Sequence, residues 1–215
     1  MVHYLGVEKP QSRPGSALPA DDRALVAGCR AGDPVSLDRF FRLHVDYVER
    51  VVARLVGPTT DLPDLVQTTF IEALQSFGRY RGEASLKTWV ARIAVHVCMH
   101  QLRSGVRRHV PLELVHATNE PEDPARRADG DLPIRQLARR LHDLLDRISP
   151  KKRVAFLLYT VEDYSLDEVA ALTGASRAAT KSRIWFARRE LVAAVRNRPD
   201  LRQFVQDTRG AESWR

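Results

Sequence analysis

The sequence predicts an all-α protein built from two small helical domains, and three observations carry this. Apolar residues recur at helical spacing through most of residues 21–104 and again through 134–198. Between them, residues 105–133 lose the spacing: Pro111, Pro121, Pro124 and Pro133 interrupt a mostly acidic stretch. No convincing strand pair and no internal repeat occurs anywhere. A structureless loop of that length is unusual inside one compact domain, so 105–133 reads as a flexible linker.

Residues 1–20 hold three prolines, two serines and two glycines with little periodicity, and read as a flexible tail. Asp21 or Asp22 can cap a short first helix to about Ala31. Asp33-Pro34 is a second helix start, an acceptor side chain followed by proline in the first turn. That helix runs to about Val56 with Leu37, Phe40, Phe41, Val45, Val48, Val52 and Leu55 as its apolar stripe, and Gly57-Pro58 ends it. Pro63 opens a third helix to Phe77, with Leu65, Val66, Phe70 and Leu74 inward. After the turn GRYRGEAS, a fourth helix spans about Leu86 to Arg103. Periodicity resumes at Ile134 with Leu137, Leu141, Leu144, Leu145 and Ile148, and Val154, Phe156, Leu157 and Leu158 begin another helix. Residues 199–215 form a C-terminal tail.

Length and composition fit soluble globular material: 215 residues, 44% hydrophobic and 28% charged. No apolar run reaches the roughly 18 residues that span a bilayer, so no membrane insertion is expected. The first twenty residues lack a signal-peptide core, which places the protein in the cytoplasm. Cys29 and Cys98 read as buried thiols acting as small hydrophobes. The net charge is +7, and the whole excess lies in residues 134–198, with fourteen Lys/Arg against seven Asp/Glu. A second basic stretch holds Arg79, Arg81, Lys87, Arg92, Arg103, Arg107 and Arg108, with Glu83 its only acid. Two basic patches point to two contacts with a polyanion.

The segment SLDEVAALTGASRAATKSRIWFARREL, Ser165 to Leu191, is the most informative. Ser165 and Glu168 make an S-x-x-E capping box. Val169, Ala170 and Leu172 face inward, Gly174 ends the short helix, and Ser176 can cap the next. Two helices joined by a short Gly turn are the helix-turn-helix pattern. In the second helix Thr180, Ile184, Ala187 and Leu191 pack inward. Arg177, Lys181, Trp185 and Arg188 share another face, with Ser182 and Arg189 beside it. A basic face at this place suits the major groove, where arginine can bond guanine and lysine neutralises phosphate. The alternative is an amphipathic hairpin whose basic face is simply solvated.

In the fourth helix Leu86, Val90, Ile93 and Val97 form the inward row, and Arg92, His96, His100 and Arg103 the opposite one. Trp89 borders that side, and Tyr80, Arg81 and Lys87 lie just before or within its first turn. Aromatic rings among cations suit unpaired nucleic acid, because bases stack on rings while cations follow phosphates. A Trp89 that is merely core is the rival reading. His96 and His100 lack a third metal ligand, so no metal site is assigned.

These residues resemble a known family. Asp64-Leu65-Val66-Gln67, Phe70, Ala73-Leu74, Phe77, Tyr80-Arg81-Gly82, Ser85, Thr88-Trp89, Arg92-Ile93-Ala94 and Leu102-Arg103 resemble domain 2 of bacterial sigma factors. Ile148-Ser149-Pro150, Leu157-Leu158, Tyr164-Ser165, Glu168-Val169-Ala170, Gly174, Ser176 and Thr180-Lys181-Ser182-Arg183 look like sigma domain 4. The resemblance, to the small extracytoplasmic-function type of the sigma-70 family, implies a domain 2 helical bundle at 21–104 and a domain 4 helix-turn-helix at 134–198. It implies RNA polymerase core as partner, with Asp64, Leu65, Gln67 and Phe70 on a helix that docks on the clamp helices of the largest subunit. Tyr80, Arg81, Lys87, Trp89, Arg92, His96, His100 and Arg103 would open the −10 element of promoter DNA. Ser176, Arg177, Lys181, Ser182, Trp185 and Arg188 would read the −35 element. The linker would thread toward the RNA exit path. An anti-sigma protein is a further partner that the family admits. His96 and His100 stand where that group often has Asn and Asp, and Trp185 and Phe186 where polar or basic residues are more usual.

Two other functions compete. A stand-alone helix-turn-helix regulator would normally dimerise on paired half-sites, yet no long dimer helix is evident. An enzyme acting on nucleic acid would need a metal-ligand set, a nucleophile elbow or a phosphate loop, and none is found. Glu83 and Asp64 are acids without a catalytic partner. No catalytic residue and no cofactor is assigned.

Overall fold

The computed structural model describes residues 20–105, 140, 142–196 and 198. The two tails and nearly all of the linker lie outside these residues. So does most of the helix expected from Ile134, of which 142–145 is described and is helical. Among the described residues are α1 (Ala20–Ala31), α2 (Pro34–Val56), α3 (Leu62–Ser76), α4 (Leu86–Ser104), α5 (Pro150–Thr160), α6 (Leu166–Thr173) and α7 (Arg177–Arg196). A 3-10 turn, Phe77–Arg79, continues α3, and no described residue forms a β-strand.

The ends follow local chemistry. Asp21 and Asp22 sit inside the first turn of α1, where carboxylates favour the positive helix end. Asp33 caps α2 by accepting from the Val35 and Ser36 amides, with Pro34 opening the helix. Gly57 closes it at φ 81, a conformation that other residues enter at a cost. Ser85 caps α4 by accepting from the Thr88 amide at 3.1 Å, and Gly105 ends that helix in the left-handed region.

α4 is the central helix, packing against α2, α3, α5 and α6. It is buried well beyond one stripe: Ala91, Ala94, Val95 and Cys98 join Leu86, Val90, Val97 and Leu102 in the core. Alanine at two of these positions lets neighbouring helices approach closely. Phe40 centres an aromatic cluster, with ring centroids 4.9 Å from Phe77 and 6.3 Å from Trp89. These rings meet edge-on or tilted, as their quadrupoles favour.

Two expected core residues face outward. Phe41 is 45% exposed and Leu74 43%, while Val51, Thr69 and Ala73 are buried in their helices. The buried face of α3 holds 65, 69, 70 and 73, and Leu74 falls at the flank of that face, where it is left exposed. Phe41 reaches the edge of α3, its centroid 4.8 Å from that of Phe70. Thr69 satisfies its buried hydroxyl by donating to the Leu65 carbonyl at 2.8 Å.

The second half packs α5 against α6 and α7. Leu145, Ile148, Val154, Ala155, Leu157, Leu158, Val169, Leu172 and Ala187 belong to the same apolar cluster as the core of α1–α4. The two halves therefore share one core, and no sequence signal foretold this.

Candidate nucleic-acid interface

The helix-turn-helix is held by the contacts its sequence called for. The Ser165 hydroxyl oxygen accepts from the Glu168 amide, and Glu168 Oε2 accepts from the Ser165 amide at 2.8 Å. Gly174 at φ 61 then lets the chain turn between α6 and α7. Thr180, Ala187 and Val195 are the buried residues of α7, and they fix which side faces solvent. Lys181, Ser182, Trp185 and Arg188 are exposed on it.

Arg177 is exposed too, but it is already engaged. Its Nη1 donates to both oxygens of Asp167 on α6, at 2.9 and 2.8 Å. Ser176 caps α7, its hydroxyl oxygen accepting from the Ala179 amide at 3.2 Å, which leaves its proton to donate to a phosphate. Trp185 and Phe186, 53% and 46% exposed, meet edge to face at 4.8 Å. Arg189 lies over the Trp185 ring and Lys152 over that of Phe186.

On α4 the outward row is Arg92, His96, His100 and Arg103, all exposed, with Lys87 exposed nearer the start. Two residues expected to touch DNA are placed otherwise. Tyr80 is only 4% exposed: its hydroxyl donates to the Ala84 carbonyl at 2.5 Å, and burial pushes its pKa up. It anchors the turn from inside. Trp89 is half-buried, tilted against Phe77 and Tyr80 with centroids 4.9 Å from each. It is both a wall of the aromatic cluster and the border of the basic row, so neither of its two sequence readings excludes the other.

The turn has a basic neighbour that the sequence did not reveal. Arg30 of α1 donates to the Phe77 carbonyl at 3.1 Å and to that of Tyr80, tying α1 to the turn. Arg23, Arg30, Arg81 and Gly82 line an open cavity of about 250 Å³ there. Arg23 and Arg30 are far from the turn in sequence, and only the packing of α1 brings them to it.

On α3, Asp64 and Gln67 are exposed, whereas Leu65 and Phe70 are 7% and 5% exposed. The latter two support the helix from beneath and are not open to a partner in this conformation. The apolar groups actually facing outward are Ile71 and Leu74, with Phe41 of α2 nearby. Among the described residues, no helix is long and apolar enough to cross a membrane.

Comparison with known proteins agrees with this geometry. The model of sigma-70 region 2 matches residues 40–108, and that of sigma-70 region 4 matches 138–191. The RNA polymerase sigma factor CarQ of Myxococcus xanthus is 31% identical over 154 residues, covering 72% of this chain and 86% of its own. The ECF RNA polymerase sigma factor SigM of Mycobacterium tuberculosis is 29% identical over 171 residues, 79% of this chain and 82% of its own. Among solved structures, CnrH in complex with the cytosolic domain of CnrY shares the fold at a TM-score of 0.58 and 22% identity, over 82% of this chain and 98% of that one. The sigma factor RpoE in complex with the anti-sigma factor NepR, from Bartonella quintana, follows at 0.51 and 21%, over 72% of this chain and 92% of that one.

Proposed function

The chain belongs to the sigma-70 family, as a sigma factor of the extracytoplasmic-function type, and on that premise we propose how its surfaces divide the work of promoter recognition. The family directs RNA polymerase to promoters and catalyses nothing of its own. In this chain the −35 duplex is the target of Arg177, Lys181, Ser182, Trp185 and Arg188 on α7. The −10 element is the target of Lys87, Arg92, His96, His100 and Arg103 on α4, with Arg81 in the turn before it. Trp89 lends the exposed part of its ring to an unstacked base. Tyr80 serves by holding the turn. The outer face of α3, with Asp64 and Gln67, meets the polymerase clamp helices.

One observation carries this reading. Two separate rows of exposed cations lie on two different helices, each backed by a buried face that fixes its aim. Phosphate contacts give grip, and a few base contacts give sequence preference. Flipping a base costs a few kcal/mol, while stacking on an aromatic returns about 1–3 per base. Melting is therefore near balance, and polymerase contacts tip it. Control by an anti-sigma protein belongs to the same reading. It is supported by the likeness in fold to the sigma factor RpoE, solved with the anti-sigma factor NepR.

The test is transcription in vitro, with polymerase core and a library of genomic promoter fragments. Run-off products sharing an upstream motif at two spaced elements are expected. Failure to bind core, with no transcript from any template, would falsify the assignment.

A further inference from the structure

Arg153 is the most deeply buried charged side chain described, 1% exposed, and the promoter-reading surfaces do not use it. It belongs to α5, yet it reaches across to the end of α2. Its Nε donates to the Leu55 carbonyl and its Nη2 to the Val56 carbonyl, both at 2.9 Å. These are last-turn carbonyls, which a helix leaves without partners of its own. Nη1 is paired with Asp146, and Nη2 lies 3.3 Å from His142 Nδ1. The His142 ring sits so close to Gly57 that a Cβ there would come within 2.4 Å of Nδ1. A second contact flanks this one: the Tyr47 and Tyr164 hydroxyls share a hydrogen bond, and Arg54 pairs with Glu162. Asp163, between those two partners, takes a left-handed φ of 55 in the turn after α5.

We infer that Arg153 is a clasp that folds the free chain shut, docking the −35-reading half on the end of α2, and that this clasp must release before both promoter elements can be read. The inference rests on the division of labour given above. Elements about 25 base pairs apart lie about 85 Å apart along B-form DNA, at about 3.4 Å per pair. A packed unit of this size is only about 40 Å across. The shared core therefore cannot bridge the two elements while it stays closed.

The clasp is built to be strong enough to form and weak enough to yield. Desolvation of the guanidinium, which pushes its pKa down to about 10, works against its hydrogen bonds. The Arg54 side chain is 44% exposed, so its pair with Glu162 is a modest contributor. Taking away one side of the clasp, however, strands the other: the Leu55 and Val56 carbonyls would be buried without donors. A polymerase that binds only the open form would then find it more populated, and its apparent affinity would rise by the same factor.

The experiment uses the full chain. Small-angle scattering measures its radius of gyration, and titration measures its apparent Kd for polymerase core. Arg153→Met should expand the chain and tighten core binding several-fold to tenfold. Because Arg153 also pairs with Asp146 in its own half, a second variant guards against simple misfolding. Tyr47→Phe with Arg54→Glu breaks only the flanking contact and should shift both readouts the same way. Adding Glu162→Arg to that variant restores the Arg54 pair with reversed charges and should bring compactness and affinity back toward wild type. A wild-type chain as expanded as the variants overturns the clasp, and so does an expanded variant that binds core no tighter. Loss of all core binding and transcription by wild type would instead remove the sigma reading, while the scattering still decides whether the clasp exists.

Discussion

Arg177, proposed above as a −35 contact, is held in one orientation by Asp167 on the neighbouring helix. Both side chains are 68% exposed, so the pair orients Arg177 more than it stabilises the fold. Arg177→Ala should weaken −35 duplex binding by about 1–3 kcal/mol if the contact is base-specific, as read from the holoenzyme's affinity for promoter variants. A loss that is uniform across sequences would make it a phosphate contact instead. The sequence marked Arg177 by its place in the hairpin, but Asp167 lies ten residues earlier and only the fold joins them. Tyr80 and Trp89 stood out as candidates by type and position. The burial of Tyr80 was not legible, and a core Trp89 was only one of two readings, because an aromatic beside a basic turn looks the same whether its ring faces in or out. His44 shows the same gap in a titrating group. Its ring lies 5.0 Å from that of Phe40, and burial lowers its pKa below 6.5, with nearby Lys87 lowering it further and Asp22 opposing. The unfolded chain therefore takes up this proton first. Stability should fall as pH drops from about 7 toward 5, and His44→Gln should flatten that part of the Tm profile. An unchanged slope in the variant would show that other groups set it.

The helices were the most readable level, because their limits are set by short-range chemistry. Asp33-Pro34, the Ser165 box and Ser176 all cap helices where the sequence placed caps. The facing of each helix was less readable. A stripe drawn at helical spacing on α3 admits Leu74, but the neighbours of α3 cover only the side that holds Thr69 and Ala73. The stripe did place Leu65 and Phe70 inward; the resemblance alone put them among partner-facing residues, and the apolar groups on the outer face are Ile71 and Leu74. α6 depends on its cap as well as on its buried Val169, Ala170 and Leu172, since eight residues have little propensity to stay helical alone. Ser165→Ala removes the acceptor of the Glu168 amide and the hydroxyl that donates to Glu168 Oε2, leaving only the bond from the backbone amide of residue 165, at a cost of about 0.5–2 kcal/mol. Chemical denaturation should show a lower midpoint with an unchanged slope. A midpoint within error of wild type would mean that packing alone holds α6 in place.

At the scale of the whole molecule the charge is divided unevenly, and this makes the two basic surfaces separable in a single experiment. The net excess of +7 falls in residues 134–198, so duplex binding by the full chain is expected to run through α7. Each phosphate neutralised releases counterions, and log K falls with log salt at a slope of about −0.9 per contact on duplex DNA. Lys181→Gln with Arg188→Gln should flatten that slope by close to two contacts. Arg92→Gln with Arg103→Gln should leave it unchanged on duplex, yet weaken binding to a single strand carrying the −10 sequence, where cations and the Trp89 ring act together. The shared core does not blur the comparison, because all four side chains are exposed. If the α4 pair flattens the duplex slope as much as the α7 pair does, the molecule grips double-stranded DNA with both halves, and melting must be driven from somewhere other than the basic row of α4.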